Sequence, residues 1–351
     1  MAANIATALS NLASTSDSVV NLSQWMKRTI SVASTDAVYG PLNPFAMDSR
    51  VYGAFWDFEE QLAILLIGLC PEVTARRGHR GRELLAQVFG RYFAEGHWAK
   101  GSQLIRESHR SNTARGVSYE DQGRFEITTC IGLLVNTVPS LLWTLWHILS
   151  EPKLLQDLRS ELLALVENRT SRGKGGSTLV RLPISQLQSS CPLLGSTVKE
   201  ALRMYSTSLS ARYTTEDTLL DGQYLLKAGS FIQIPAAVVH KDRHVWGPDA
   251  SNFDPSRFQS GTGLRNPEIP RAAFRPFGGG STLCPGRSLA MIEILAFLSM
   301  FILQFDAYPE DRSMEKPDFV SMTSSVSSPL HDLHVRIRKR ADFQNVTWMV
   351  G

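Results

Sequence analysis

The chain has 351 residues, 43% of them hydrophobic and 20% charged, with a formal net charge of +3. It is long enough to bury a large core as one big or two medium domains, and too nearly balanced in charge to point to nucleic acid or another polyanion as partner. Four cysteines (Cys70, Cys130, Cys191 and Cys284) show neither a C-x-x-C pair nor a disulfide framework, which fits a reducing compartment.

In chain order, Met1 to Gln24 is rich in Ser, Ala and Asn and carries neither a signal peptide nor a membrane anchor. It reads as a poorly ordered or partial segment ahead of a single domain over residues 25–351. Trp25 to Thr35 reads as a helix. Apolar spacing then predicts helices around Ala54–Leu69 and Arg82–Ala94, with Pro71 and Gly78 as punctuation. Lys100 to Gly123 is polar, a helix and loop. Ile127 to Leu149 has no charge except His147 and is long enough to span a membrane. Asn136, Thr137 and Pro139 at its centre favour instead a buried core helix over 125–149. A helix Leu154–Asn168 follows, then a flexible basic loop from Arg169 to Ser177. Short strands are expected at Ala211–Thr214, Tyr224–Leu226, Ser230–Pro235 and His334–Ile337, with a turn-rich meander from Pro248 to Pro276. Sequons at Asn21, Asn168 and Asn345 are near chance frequency. The fold class is mostly α with a small β element.

The most informative stretch is Phe277-Gly-Gly-Gly-Ser-Thr-Leu-Cys284-Pro-Gly-Arg287, which runs into an apolar helix, Ser288 to Phe305. Loop glycines let backbone approach a flat ligand closely. Pro285 suits a first helical turn, so the sulfur is expected at the positive end of a helix, where negative charge is favoured. Such a cysteine suits axial ligation of haem iron; the alternative is a structural cysteine in a Gly/Pro-rich turn.

Phe277, Gly280, Cys284 and Gly286 resemble the haem-ligand signature Phe-x-x-Gly-x-x-x-Cys-x-Gly of the cytochrome P450 superfamily. Glu-x-x-Arg occurs at Glu107/Arg110, Glu200/Arg203 and Glu268/Arg271, and only Glu200/Arg203 lies in a helix-compatible run where the family places its pair. Phe253-Asp-Pro-Ser-Arg257-Phe258 is similar to the family's Pro-x-Arg-Phe segment, whose arginine joins the pair to lock the meander. The resemblance implies a P450 fold lacking its N-terminal portion, including the anchor, the first small sheet and a helix that clamps a haem propionate. That departure suggests a truncated product or a late-starting gene model.

By the same resemblance Cys284 is the thiolate ligand of haem, Phe277, Gly280 and Gly286 shape its loop, and Arg212 faces a propionate. Thr282 stands where many relatives carry Arg or His, a cation that the branch with sterol 7α-hydroxylases and prostacyclin synthase also lacks, so Arg287 is a candidate to supply charge locally; the alternative is that it caps its own neighbourhood. Asn136-Thr137-Val-Pro139 resembles that branch's Asn-Thr-x-Pro, with Pro139 freeing the carbonyl of Val135 and Asn136 and Thr137 handling oxygen and protons; the alternative is a kinked helix whose polar side chains bond back to it. Pocket-lining candidates lie around Val135, Leu209 to Arg212 and Met322 to Ser325. The implied activity is monooxygenation of an apolar, terpenoid- or sterol-like small molecule, with electrons from an NADPH-dependent reductase at the cytoplasmic side of the endoplasmic reticulum. A reductase-independent isomerase or dehydratase acting on a peroxide stays open, as does a truncated relative without turnover.

Overall fold

Ten helices of eleven or more residues dominate the described residues: α1 (Ala2–Leu12), α2 (Leu22–Tyr39), α3 (Ser49–Glu60), α4 (Arg76–Ala94), α5 (Gln103–Ala114), α6 (Tyr119–Leu134), α7 (Thr137–Ser150), α8 (Pro152–Leu165), α9 (Pro192–Tyr205) and α10 (Arg287–Gln304). This computed structural model describes residues 1–12, 18–172, 178–258, 264, 266–310, 317, 324–344 and 346–350. Gly173–Ser177 of the basic loop, Met322, Thr323 and Asn345 lie outside them.

Two stretches, Tyr119–Ser150 and Arg287–Gln304, are long and apolar enough to cross a membrane, and most of each apolar window (61% and 72%) is buried within the protein. They serve as core helices. Their side chains build a first core with α1, α2, α8 and α9, in which Trp143, Phe297 and Phe301 are fully buried. A second core joins the end of α2 to α3, α4 and α6 through Tyr39, Phe55, Phe89 and Cys130. Val135 belongs to the second core and Val138 to the first, so the two meet where α6 gives way to α7.

The sheets are small. Strands β1 (Ser18–Asn21), β9 (His334–Lys339) and β8 (Phe305–Pro309) form one antiparallel sheet in the order β1-β9-β8. Strand β3 (Thr178–Leu182) pairs antiparallel with β2 (Glu167–Arg172) and parallel with β10 (Val346–Val350). Two hairpin-like pairs complete the set, β4 (Leu209–Tyr213) with β7 (Phe231–Pro235) and β5 (Thr218–Leu220) with β6 (Tyr224–Leu226).

Several boundaries differ from the sequence-based expectations. Within residues 1–24, Ala2–Leu12 form α1, which buries Ile5 and Leu9, and Asn21 caps α2 by accepting from the Gln24 N–H at 3.0 Å. The helix expected over 54–69 is split at Gln61. Strand β2 replaces the end of the helix expected to reach Asn168 and the start of the basic loop. Helix α4 begins at Arg76, because Gly78 and Gly81 are contact positions rather than breaks. A Cβ on Gly81 would stand 2.3 Å from the Ala54 carbonyl oxygen of α3, and one on Gly123 of α6 would stand 2.5 Å from backbone atoms of Ala86 and Gly90 in α4.

Gly123→Ala is therefore expected to force α4 and α6 apart and to lower unfolding free energy by about 1–3 kcal/mol. Gly53→Ala in α3, with nothing within 4 Å of the added carbon, is expected to raise it by about 0.5–1 kcal/mol. Urea midpoints of the two variants, moving in opposite directions, check this.

Candidate functional site

Segments far apart in the sequence line a cavity of about 490 Å³, within the range of about 300–1,000 Å³ usual for small-molecule and cofactor sites. One wall is the junction of α6 and α7, with Leu133, Asn136, Thr137 and Ser140. The opposite set comes from the glycine-rich loop and the first turns of α10, with Phe277, Gly278, Cys284, Gly286 and Ala290. Arg212 of β4, Glu293 of α10 and Ser325 add to its polar lining.

The loop closes on itself. The Cys284 N–H donates to the Phe277 carbonyl at 3.0 Å and the Leu283 N–H to the Gly280 carbonyl at 3.2 Å. Gly280 has φ +63°, a left-handed conformation that side chains resist, and a Cβ there would press on Arg212 Nη2 at 3.4 Å. Cys284 is a half-buried free thiol. Helix α10 starts at Arg287 with Gly286 as its cap, so Pro285 precedes the first turn instead of occupying it. Arg287 does not line the cavity: its Nη1 donates to the Cys284 carbonyl at 3.0 Å and its side chain is exposed. That bond braces the loop, the second of the two roles open to Arg287.

The polar residues of the other wall are partly committed. Pro139 has no N–H to offer the Val135 carbonyl, and Val135–Asn136 interrupt what was expected to be one continuous helix. Thr137 Oγ1 donates to the Leu133 carbonyl at 3.0 Å, and Ser140 Oγ to the Asn136 carbonyl at 2.7 Å. Asn136 does not bond back to its helix. Its Oδ1 accepts from the N–H groups of Ser325 and Val326 at 2.6 and 3.3 Å, which holds that segment against the junction. The side chain of Asn136 is thus a tether whose remaining capacity is that of a donor, and Thr137 faces the cavity as an acceptor.

Beneath the loop, Glu200 and Arg203 of α9 are both fully buried. Arg203 donates to both carboxylate oxygens of Glu200 at 2.8 and 2.7 Å and to the carbonyls of His240, Ala250 and Asn252. Arg257 approaches Glu200 at 3.4 Å while bonding Asp249 and the Trp246 carbonyl. His240 extends this cluster: its Nδ1 meets the Arg203 carbonyl, and its Nε2 accepts from the Arg275 N–H at 2.8 Å. Burial pushes the His240 imidazole down to about 4, so it stays neutral and can accept.

Arg275 went unnoticed in the sequence, although it stands directly before Pro276-Phe277. Its Nη2 reaches Ser210 Oγ only at 3.4 Å, and its Nε is buried with no hydrogen-bond partner. Arg212 Nη2 donates to the Gly279 carbonyl at 3.2 Å and to Thr282 Oγ1 at 3.1 Å. A Cβ on Gly279 would lie 2.7 Å from Arg275 Nη2, so both guanidiniums converge on one glycine turn. Neither has an acidic partner among the described residues. Arg212, which lines the cavity, and Arg275, which lies against the same glycine turn with an orphaned buried N–H, are two cations that fit a ligand carrying carboxylates.

A profile of the family described as cytochrome P450 matches residues 115–334. The chain belongs to the cytochrome P450 family. It is 36% identical over 346 residues to the cytochrome P450 monooxygenase nodJ of Hypoxylon pulicicidum, covering 97% of this chain and 67% of that protein. It is 29% identical to a cytochrome P450 monooxygenase of Gibberella zeae, covering 92% and 64%. It is also 24% identical to the cholesterol 7-alpha-monooxygenase of Cricetulus griseus, covering 81% and 58%. The chain thus spans about two thirds or less of the length of these relatives. P450 members hold haem through a cysteine thiolate, and the residues present fit that group: one cysteine in the cavity lining, a largely apolar interior, and Arg212, without an acidic partner among the described residues, suited to a propionate.

Proposed function

We propose that this chain is a haem-thiolate monooxygenase that inserts one atom of dioxygen into an apolar small molecule, terpenoid- or sterol-like, with electrons delivered from NADPH by a separate reductase. The observation that carries the proposal is the placement of Cys284 and the polar junction Asn136–Ser140 in one largely apolar cavity. Haem, when bound, supplies the iron that activates dioxygen. Cys284 would supply the thiolate sulfur that holds it, and Arg212 and Arg275 would hold its carboxylates. Thr137 offers a hydroxyl oxygen inside the cavity, the Asn136 amide a donor, and the uncapped Val135 carbonyl an acceptor for water. Leu133, Leu289 and Ile294 exclude bulk solvent from the apolar part. The likeness to a cholesterol 7-alpha-monooxygenase supports a sterol-like shape of substrate. On the same reading residues 25–351 are one haem-binding domain working at the cytoplasmic side of the endoplasmic reticulum.

The test is turnover of the haem-loaded chain with sterols and terpenoids under isotopically labelled dioxygen, with and without NADPH and reductase. Label in the product, dependent on both, is the expected outcome. Rearrangement of a fatty-acid hydroperoxide without reductase, and no labelled product, would show the peroxide isomerase instead.

A further inference from the structure

One titratable group of the cavity has no part in the chemistry above. Glu293 lies on α10, the helix that follows Cys284, and lines the same cavity although it is only 2% exposed. Its carboxyl makes one hydrogen bond among the described residues, accepting from Ser34 Oγ of α2 at 2.7 Å. Ser34 is itself buried. A carboxyl this deep with a single neutral partner loses most of its hydration, and burial raises it to about 7.

The surrounding elements offer it little charge. From α1 comes the Met1 amino group, which acts in the opposite direction to burial and less strongly. From α7, His147 is bound to the Tyr205 hydroxyl. From α9, Glu200 and Arg203 satisfy each other; Lys199, on the same helix, makes no ion pair among the described residues. From α8 and β8, Arg159 pairs with Asp306, and Glu161 accepts from the N–H groups of Leu193 and Leu194. The segment Ile184–Ser190 carries no titratable side chain. Arg212, which lines the same cavity, is bonded to the Gly279 carbonyl and Thr282, and Lys27, Arg28 and Asp36 of α2 make no ion pair with Glu293. Among the described residues no cation pairs with Glu293, so its proton is free to follow the charge of whatever occupies the cavity.

We infer that Glu293 is a positioning residue for electron entry: its carboxyl sets the reduction potential of the haem held by Cys284, through the gain or loss of its own proton. This rests on the haem-thiolate reading. Ferric haem carries one more positive charge than ferrous. A carboxylate in the same weakly screened cavity favours the ferric state, and a neutral acid does not. As pH rises through about 7 the carboxylate forms and the potential falls; reciprocally, reduction of the iron draws a proton onto Glu293. The external reductant supplies the electron and solvent the proton, so charge balances across the pair.

The experiment is spectroelectrochemical titration of the haem-loaded chain between pH 5.5 and 8.5, with Glu293→Gln and Ser34→Ala beside the wild type. The expected wild-type potential falls across pH 7. The Glu293→Gln potential is expected to be flat and close to the low-pH wild-type value. Ser34→Ala is expected to move the inflection to higher pH, because that hydrogen bond favours the ionised form. Glu293→Asp, read the same way, serves if the glutamine variant does not take up haem. A flat wild-type curve, or an equal slope in Glu293→Gln, overturns the inference while leaving the monooxygenase reading standing. Failure of the wild type to take up haem, or a carbonyl band without the thiolate shift, overturns both.

Discussion

Cys284→Ser is expected to abolish the red-shifted carbonyl Soret band that the reduced, haem-loaded chain gives with carbon monoxide, while leaving the fold intact. Serine is nearly isosteric, but its hydroxyl does not ionise at neutral pH and is a poor axial ligand for iron. No other sulfur can substitute. Cys70 is exposed ahead of α4, Cys130 is buried in the second core against the Tyr39 hydroxyl, and Cys191 is buried at the start of α9. None of the three lines the cavity. Burial also pushes the Cys130 thiol well above its ordinary range and the Cys191 thiol up to about 12, so neither is a thiolate. Because Cys284 is half-buried and its backbone bond to Phe277 survives, the stability change should stay within about 0.5 kcal/mol. The reduced carbon monoxide difference spectrum and a urea titration read the two parts separately. A red-shifted band that persists in the variant would remove Cys284 from the ligand position.

Arg203→Leu is expected to be the most destructive single substitution in the chain. The guanidinium makes five hydrogen bonds in a fully buried setting, two to Glu200 and three to the backbone carbonyls of His240, Ala250 and Asn252. Leucine leaves Glu200 as a buried carboxylate with only the Asp254 N–H and the longer contact from Arg257, and orphans three carbonyls. Breaking a buried ion pair from one side costs about 3–5 kcal/mol, and each orphaned acceptor adds about 1–3 kcal/mol. Against a total stability of about 5–15 kcal/mol, the variant should be largely unfolded or lack a cooperative transition. Arg203→Lys should not rescue it, since an ammonium cannot span a carboxylate and three carbonyls at once. Removing both charges, with Glu200→Gln and Arg203→Met together, should recover part of the loss. Thermal and urea unfolding decide the matter; a cost below about 1 kcal/mol would show that the cluster is not the scaffold of the loop.

What could be read from the sequence was what is local. The loop around Cys284, the i,i+3 pair Glu200/Arg203 and the proline-broken apolar run each carry their signal within a dozen residues, and each is found in a single site or cluster. What escaped depends on contacts across hundreds of residues. Glycines 78 and 81 look like punctuation until the backbone of α3 is seen against α4. Asn136 looks like a helix residue aimed at ligand until Ser325 is found on its side chain. Arg275 is one arginine among many, and only its buried Nε, without a partner among the described residues, marks it. Glu293 reads as a lone charge in an apolar helix; its partner, Ser34, is on a distant helix.

The handover from one hydrophobic core to the other at Val135–Val138 bears on how the molecule opens. Helices α3 to α6 share packing that does not include α7 to α10, and the backbone ladder joining the halves is weakest where Pro139 withholds its N–H. Such an arrangement divides the chain into two cooperative units with separate opening free energies. The unit built on α3 to α6 can loosen at the expense of its own core alone, while the unit that carries Cys284, Arg203 and the loop stays folded. Of the residues lining the cavity, only Gly132 and Leu133 come from that first unit, so its loosening would shift one wall while the loop of Cys284 keeps its place.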